Sequence, residues 1–269
     1  MIMVAKAKKY IDQLTGQGKI SFTIGQIQSD LNITYKAARR MLERLSHNKE
    51  IATPAKGYYL IVTPEFRELG CLPPNYFIDD LMSYWHKTYY VGLLNAAMFH
   101  GAAHQQPQNV QVILPTIRPN VICGKVVIQF IQNAACHKTP AESLKTPTGT
   151  LLVSTVEATA MDLVKFMRQS GGINRVATII HELGENLNKY KLLELTELFK
   201  ESAWVQRLGY LLELLGYEDT AQALLAHLQK IKTRVIPLVP YLKTNNAKRC
   251  EKWHVYINAH VESDLDDTK

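Results

Sequence analysis

The sequence contains little cysteine. Its 269 residues include four cysteines, namely Cys71, Cys123, Cys136 and Cys250. They are widely spaced and form no C-x-x-C pair, so the sequence indicates neither a disulfide framework nor a compact zinc site. We therefore expect four reduced thiols, most of them buried.

Long apolar segments are also lacking. The N-terminal MIMVAKAKKY has no continuous apolar stretch such as a signal peptide requires. No later run approaches the roughly 18 apolar residues of a membrane span. We therefore expect a soluble, cytoplasmic protein. The 46% hydrophobic and 20% charged residues are typical of a globular chain, and the length allows about two domains of roughly 150 residues each.

Acidic residues are scarce in the first sixty positions. Ten Lys and Arg residues oppose four acids there, Asp12, Asp30, Glu43 and Glu50, which gives a net charge of +6. The remainder carries 21 basic and 20 acidic residues, a net charge of +1. A positive charge concentrated in one segment favours a polyanion as the partner of that segment.

The same sixty residues have the pattern of a winged helix-turn-helix. Residues 3–14 repeat apolar side chains every three or four positions, as an amphipathic helix does. A shorter helix follows Thr23, a plausible N-cap, and a third follows Thr34, another plausible N-cap. The expected buried face of this third helix consists of Ala38, Met41, Leu42 and Leu45. Two strand-like runs then flank a turn at residues 54–57, which is typical of a wing.

The third helix carries the candidate DNA-binding residues. Lys36, Arg39 and Arg40 lie off its apolar face, at the end that enters the major groove in recognition helices. Lys56, at the wing tip, is placed to reach a phosphate. The full predicted set is Thr34, Tyr35, Lys36, Arg39, Arg40, Arg44 and Lys56. A basic helix face that is merely solvated is the alternative, but the neighbouring helices, the wing and the local charge favour double-stranded DNA.

A second, larger domain is expected after a linker. Residues 63–75 contain three prolines and a glycine, which disfavour a continuous helix or a central strand. We therefore predict a winged helix over residues 1–62 and a second domain over 76–269. The predicted class is α+β, an N-terminal winged helix-turn-helix followed by a larger mixed α/β domain.

The pattern of the second domain predicts strands at first and then mostly helices. One helix is expected over residues 77–101, ending at Gly101. Strands are expected at NVQVILP, KVVIQFIQ and GTLLVS, and a helix at STVEATAMDLVKFM. Helices are then expected over residues 173–187, 190–201, 203–215 and 219–230. The chain closes with two strand-like runs, RVIPLVPYL and KWHVYINAHV.

The acidic residues that follow GTLLVS do not form a convincing catalytic site. Ser154 and Glu157 have the spacing of a capping box, which accounts for both residue types. Glu157 and Asp162 are five residues apart and point in different directions on a helix. We therefore predict no catalytic residues and no enzymatic activity.

Metal and cofactor sites are not predicted either. His100 and His104 have the spacing of two zinc ligands on one helix, but Gly101 between them is expected to end that helix. Cys250 and His254 span a turn and a strand, with no second pair at ligand spacing. A buried thiol and a surface imidazole are the simpler interpretation.

The order of these segments resembles the AbiEi-type antitoxins of bacterial type IV toxin-antitoxin (abortive infection) systems. The segments concerned are the winged helix, YYVGLLNAAMFHG, VSTVEATAMDLVKF, WVQRLGYLLELLG and IPLVPYL with KWHVYIN. The family's S-x-x-E-R-T-x-x-D stretch occurs here as Ser154, Glu157, Ala158, Thr159 and Asp162, with alanine in place of arginine.

The resemblance implies a function in phage defence. It implies an antitoxin that is also a transcriptional autorepressor, with a winged helix bound to inverted repeats in its own promoter. It also implies that the second domain counteracts a nucleotidyltransferase-like toxin. Two alternatives stay open at this point. One is a nuclease or transferase that the winged helix directs to DNA, and the other is a ligand-responsive transcriptional regulator.

Overall fold

The computed structural model describes residues 2–102 and 107–262, without the side chains of residues 2–5. Contacts divide the chain into two units. The first unit comprises residues 1–90, 108–136 and 143–152, and the second comprises 91–107, 137–142 and 153–269. In the part of the chain described, no helix is both long and apolar enough to cross a bilayer.

The first unit begins with the predicted winged helix. Its elements are α1 (Ile2–Gly16), β1 (Ser21–Thr23), α2 (Ile24–Leu31), α3 (Tyr35–His47), β2 (Ile51–Ala55) and β3 (Tyr58–Ile61). The strands form an antiparallel sheet in the order β1-β3-β2. The sequence pattern missed β1, because three residues are too few for an alternation to be recognised.

Local hydrogen bonds determine where α2 and α3 begin. Thr23 Oγ1 accepts a hydrogen bond from the Gln26 amide, and Gln26 Oε1 accepts one from the Thr23 amide. Thr34 Oγ1 accepts a hydrogen bond from the Ala37 amide at 3.3 Å. Asn32 ends α2 with a left-handed φ of 47° and so turns the chain toward α3. Both predicted N-caps are confirmed.

An apolar core fixes the rotation of α3. Ala38, Met41, Leu42 and Leu45 are buried, as predicted. They share a cluster with residues from the other helices and strands, including Ala7, Ile11 and Leu14 of α1, Phe22 of β1 and Ile27 of α2. The opposite face of α3 therefore faces solvent.

The segment predicted as a linker is hydrogen-bonded within the first unit. Pro64–Phe66 forms a 3-10 turn, and the Lys125 amide donates a hydrogen bond to the Leu69 carbonyl at 2.8 Å. α4 (Pro74–Tyr84) follows and contacts β3. Residues 1–90 thus lie in one unit by contacts, and the division into a winged helix over 1–62, a linker over 63–75 and a second domain over 76–269 stays a prediction.

Six strands then form one mixed sheet. The elements in chain order are β4 (Tyr90–Val91), α5 (Leu93–Phe99), β5 (Val110–Leu114), β6 (Val121–Cys123), β7 (Val126–Gln132), β8 (Ala141–Thr146) and β9 (Gly149–Ser154). The strand order is β6-β7-β5-β4-β9-β8. β5 pairs with β7 and β4 with β9 in parallel, while β6 and β7 are antiparallel. The pattern predicted β5, β7 and β9 but missed β4, β6 and β8.

The single helix predicted over residues 77–101 is wrong. α4 ends at Tyr84, β4 intervenes, and α5 begins at Leu93. His86 has a left-handed φ of 53°, and Val91 pairs with a strand, which the β-branched and aromatic run TYYV favours. Apolar residues at helical spacing on both sides concealed the break. The stop predicted at Gly101 is confirmed, since α5 ends two residues before it.

Helices dominate the second unit, close to the predicted positions. They are α6 (Val156–Lys165), α7 (Ile173–Gly184), α8 (Lys189–Phe199), α9 (Ser202–Leu214) and α10 (Glu218–Leu228). α6 lies at the centre, where α5, α7, α8 and α9 all contact it. The elements confirm the predicted α+β class, with a winged helix ahead of a larger mixed region.

A small sheet closes the second unit. Its strands are β10 (Ile236–Pro237), β11 (Lys248–Cys250) and β12 (Val255–Ile257), in the order β10-β12-β11. The strand predicted over KWHVYINAHV is therefore much shorter than expected. Trp253 precedes it in a turn, although its ring is buried as the alternation predicted.

Gly209 of α9 packs directly against the buried indole of Trp253. A Cβ at position 209 would lie 2.0 Å from a carbon of the Trp253 ring, and that ring is 1% exposed. We expect Gly209→Ala to lower the free energy of unfolding by roughly 1–3 kcal/mol through overpacking. Urea denaturation measures this. Gly25→Ala of α2 is the control, because its added Cβ meets only Thr23 Oγ1 at 3.8 Å, and an equal effect of both would contradict the prediction.

Candidate nucleic-acid interface

The solvent-facing side of α3 carries a cluster of cations. Because successive residues are rotated by about 100° around a helix, Lys36 and Arg40 lie opposite the buried face, whereas Tyr35 and Arg39 lie closer to its edge. All four are exposed, and Tyr35 is 55% exposed. An aromatic ring beside cations on an open helix face suits stacking and phosphate contacts with a nucleic acid.

Tyr59 on β3 connects the wing to this face. Its ring stacks on Phe22 with centroids 5.6 Å apart. Burial raises the pKa of the Tyr59 hydroxyl; the neighbouring Tyr35 raises it further and Arg39 opposes the shift. The Tyr59 side chain is half-buried and packs against the core of the winged helix. The sequence analysis missed it, although strand alternation with the buried Tyr58 would have placed Tyr59 on the other face.

Hydrogen bonds to two backbone carbonyl oxygens hold the wing tip at Lys56 and Gly57 in place. The Tyr84 hydroxyl of α4 donates a hydrogen bond to the Lys56 carbonyl at 3.0 Å. The Ile24 amide, at the start of α2, donates one to the Gly57 carbonyl at 3.0 Å. Gly57 has a left-handed φ of 79°, which glycine adopts without strain. The turn is therefore fixed while the Lys56 side chain is exposed, so an anion would meet a largely ordered segment.

Arg44 lies at a different edge of α3. It lines a small crevice with Lys8 of α1 and Glu50. On the helix circumference it stands about half a turn from Tyr35, which lies nearer the wing. All seven predicted residues are exposed. Among those on α3, Arg44 lies farthest around the helix from Tyr35 and Arg39.

One acid interrupts the cationic face. Glu43 Oε1 accepts a hydrogen bond from Arg39 Nε at 3.1 Å, and the two side chains are 62% and 68% exposed respectively. Ion pairs this exposed contribute little to stability. The pair does, however, orient Arg39 along the helix and place a negative charge where a phosphate would approach.

The capping box predicted at Ser154 and Glu157 is wrong. Thr155 is the N-cap of α6, and its side-chain oxygen accepts a backbone hydrogen bond there. Ser154 is the last residue of β9, and its hydroxyl pairs with the Thr159 hydroxyl at 2.7 Å. Glu157 Oε1 instead accepts a hydrogen bond from the Asn188 amide at 3.1 Å, at the start of α8. The cap is displaced by one residue because the strand extends through Ser154.

The described members of the candidate metal pairs have hydrogen-bond partners or are partly buried. His100 Nε2 lies 2.7 Å from the Ser154 carbonyl oxygen, and His104 lies outside the described residues. His254 Nδ1 shares a hydrogen bond with the Thr233 hydroxyl, while Cys250 is half-buried. Within residues 2–102 and 107–262, no group of three or more His, Cys, Asp or Glu side chains is arranged to hold a metal ion.

Comparisons with known proteins concern both residues 90–214 and the whole fold. Residues 90–214 match the family model described as the AbiEi antitoxin C-terminal domain. The crystal structure of the RV2827C protein from Mycobacterium tuberculosis is similar with a TM-score of 0.70 and 17% identity, covering 93% of this chain and 90% of that one. At that identity the similarity shows a shared fold. No curated protein matches the chain.

Removing the negative charge of Glu43 tests the electrostatics of this face. If the exposed side of α3 meets phosphates, Glu43→Gln is expected to tighten duplex DNA binding a few-fold at low salt, because it removes a repulsion and releases Arg39. Fluorescence anisotropy with a labelled duplex measures the dissociation constant. Glu65→Gln is the matched control, since Glu65 is also exposed but lies in the 3-10 turn. Equal effects of the two changes would contradict a specific role for this face.

Proposed function

We propose that this chain, whose residues 90–214 match the AbiEi antitoxin C-terminal domain, is an antitoxin whose winged helix binds double-stranded DNA and represses its own operon. The observation that carries this proposal is the exposed cationic face of α3, with Tyr35, Lys36, Arg39 and Arg40 beside an ordered wing. The net charge of +6 in the first sixty residues supports it.

Each part of the face has a proposed task. The first half of α3 enters the major groove, where Lys36 and Arg40 meet base edges or phosphates. Thr34 and Tyr35 stand at the entering end, and Lys56 holds a phosphate across the wing. Phosphate contacts set affinity, while contacts in the groove add sequence selectivity. The proposed operator consists of inverted repeats in the protein's own promoter, so two copies of the chain occupy it.

We further propose that the partner neutralised is a nucleotidyltransferase-like toxin, and that the antitoxin acts in the cytoplasm without catalysis of its own. The family stretch on α6 bears on how neutralisation works. Ser154, Glu157, Thr159 and Asp162 are all buried, at 0–3% exposed. Their role is therefore to hold α6 among its neighbours. Any direct contact with a toxin involves other, exposed residues.

Salt dependence separates phosphate contacts from a structural role. If about four phosphates are neutralised per monomer, the slope of log K against log salt is expected to be about −3.6. Lys36→Ala, Arg40→Ala and Lys56→Ala should each weaken binding and reduce the slope magnitude by about 0.9. Binding to the upstream DNA is titrated at several salt concentrations. Lys19→Ala is the control, because Lys19 lies with Asp79 and Asp80 rather than on α3; undiminished binding by all three variants would exclude the assignment.

Repression and neutralisation should be separable. A chain carrying Lys36→Ala, Arg39→Ala and Arg40→Ala is expected to lose repression of a promoter fusion yet still protect cells that express the toxin encoded beside it. The reason is that these exposed side chains take no part in the core of the winged helix. Circular dichroism checks the fold of the variant. Loss of protection by a folded variant would show that DNA binding is itself required, and retained repression would contradict the proposed interface.

A further inference from the structure

Two segments of the first unit cross at unusually short range. The chain at Leu69 and Gly70 runs against the turn that joins β6 to β7. A Cβ on Gly124 would lie 2.2 Å from the Leu69 carbonyl oxygen and 2.8 Å from the Gly70 Cα. Both glycines have left-handed φ values, 69° at Gly70 and 58° at Gly124. The crossing therefore depends on glycine at both positions.

A cysteine stands directly beside each of these glycines. Cys71 is 0% exposed and Cys123 is 6% exposed. The interaction between the two side chains lowers the pKa of Cys123 and raises the pKa of Cys71, while burial raises the pKa of Cys71 further and opposes the shift at Cys123. A backbone hydrogen bond from Thr53 of β2 lowers the pKa of Cys123 further. The close glycine contact thus brings two thiols together, and their environments differ.

Cys123 also lines a groove that is open to solvent. The groove has a volume of about 480 Å³, and its lining includes Lys49, Arg67 and Lys125. The acid Glu68 lies in the same lining. Cys123 therefore lines a groove that a small reactant can enter, and its interactions with Cys71 and Thr53 lower the pKa of its thiol.

We propose that Cys71 and Cys123 form a peroxide-sensitive site that closes into an intramolecular disulfide. The Cys123 thiolate attacks one oxygen of hydrogen peroxide, so the S–O bond forms, the O–O bond breaks, and the second oxygen leaves as water after taking a proton. The Cys71 sulfur then attacks the Cys123 sulfenic acid. The S–S bond forms, the S–O bond breaks, and a second water leaves with the Cys71 proton. Two thiols are oxidised, and one peroxide is reduced to water.

The disulfide would join the segment before α4 to the edge of the six-stranded sheet, next to the wing strand β2. It would close a loop from residue 71 to residue 123, which restricts the unfolded chain. A loop of this length is expected to raise the thermal midpoint of the first unit by on the order of 10 °C if the bridge is unstrained. The wing strand β2 contacts β6, so it would then pack against a strand that the disulfide holds in place.

Peptide mapping of the full chain tests this site. Reduced protein is treated with hydrogen peroxide, remaining thiols are alkylated, and a non-reducing digest is examined by mass spectrometry. The expected product is one peptide pair that joins Cys71 to Cys123, is two hydrogens lighter than the free thiols, and separates on reduction. Cys136→Ser is the matched control, because Cys136 is a buried thiol of the same unit, and this variant should form the bridge normally.

The single-cysteine variants establish the order of the steps. Cys71→Ser should accumulate a sulfenic acid on Cys123 that a dimedone probe labels, whereas Cys123→Ser should leave Cys71 unreacted. Peroxide treatment that oxidises Cys123 to the sulfinic acid while Cys71 remains alkylatable would overturn the proposal. So would preferential oxidation of Cys250 with both buried thiols intact. None of these readouts involves DNA, so failure here is distinguishable from failure of the proposed DNA binding.

Discussion

The burial of one face of α3 is the constraint on which the winged helix depends. Ala38, Met41, Leu42 and Leu45 can all leave water only if the helix takes one rotation. That rotation fixes where every other side chain of the helix points. The cationic face follows from the apolar one, since the polar residues take the positions that remain. Core packing and the proposed contact with DNA are therefore two results of a single arrangement.

Support for the wing comes from outside the first sixty residues. Tyr84 of α4 bonds the wing tip, and the Ser21 hydroxyl of β1 donates a 2.6 Å hydrogen bond to Asp80. These contacts explain why the winged helix and α4 belong to one unit. Because the hydrogen bonds at the wing tip use the carbonyl oxygens of Lys56 and Gly57, they leave the Lys56 side chain exposed. Its backbone need not become ordered when a ligand arrives.

Local signals in the sequence predicted local structure well. The N-caps at Thr23 and Thr34 and the buried face of α3 depend on residues within one or two helical turns, and all were predicted. Failures occurred where distant segments decide the outcome. The break between α4 and α5 reflects the pairing of Val91 with Val153, and the cap at Thr155 reflects how far β9 extends. Tyr59 was missed although the alternation within β3 is a local signal, and its ring stacks on Phe22 of β1, a strand that the pattern did not predict. The seven predicted DNA-binding residues stay a prediction, although all are exposed.

The two units alternate along the chain, and this has a consequence for how the molecule is made. The first unit is completed only by residues 143–152, after the chain has contributed residues 91–107 and 137–142 to the second. On a ribosome, the winged helix emerges well before Lys125 is available to bond Leu69, and Tyr84 reaches the wing only after β3 is formed. The hydrogen bond from Lys125 therefore becomes available only when nearly half of the chain has been synthesised, and the unit that contains the winged helix is completed only at residue 152. A short N-terminal fragment consequently lacks hydrogen bonds that the same residues form in the full chain.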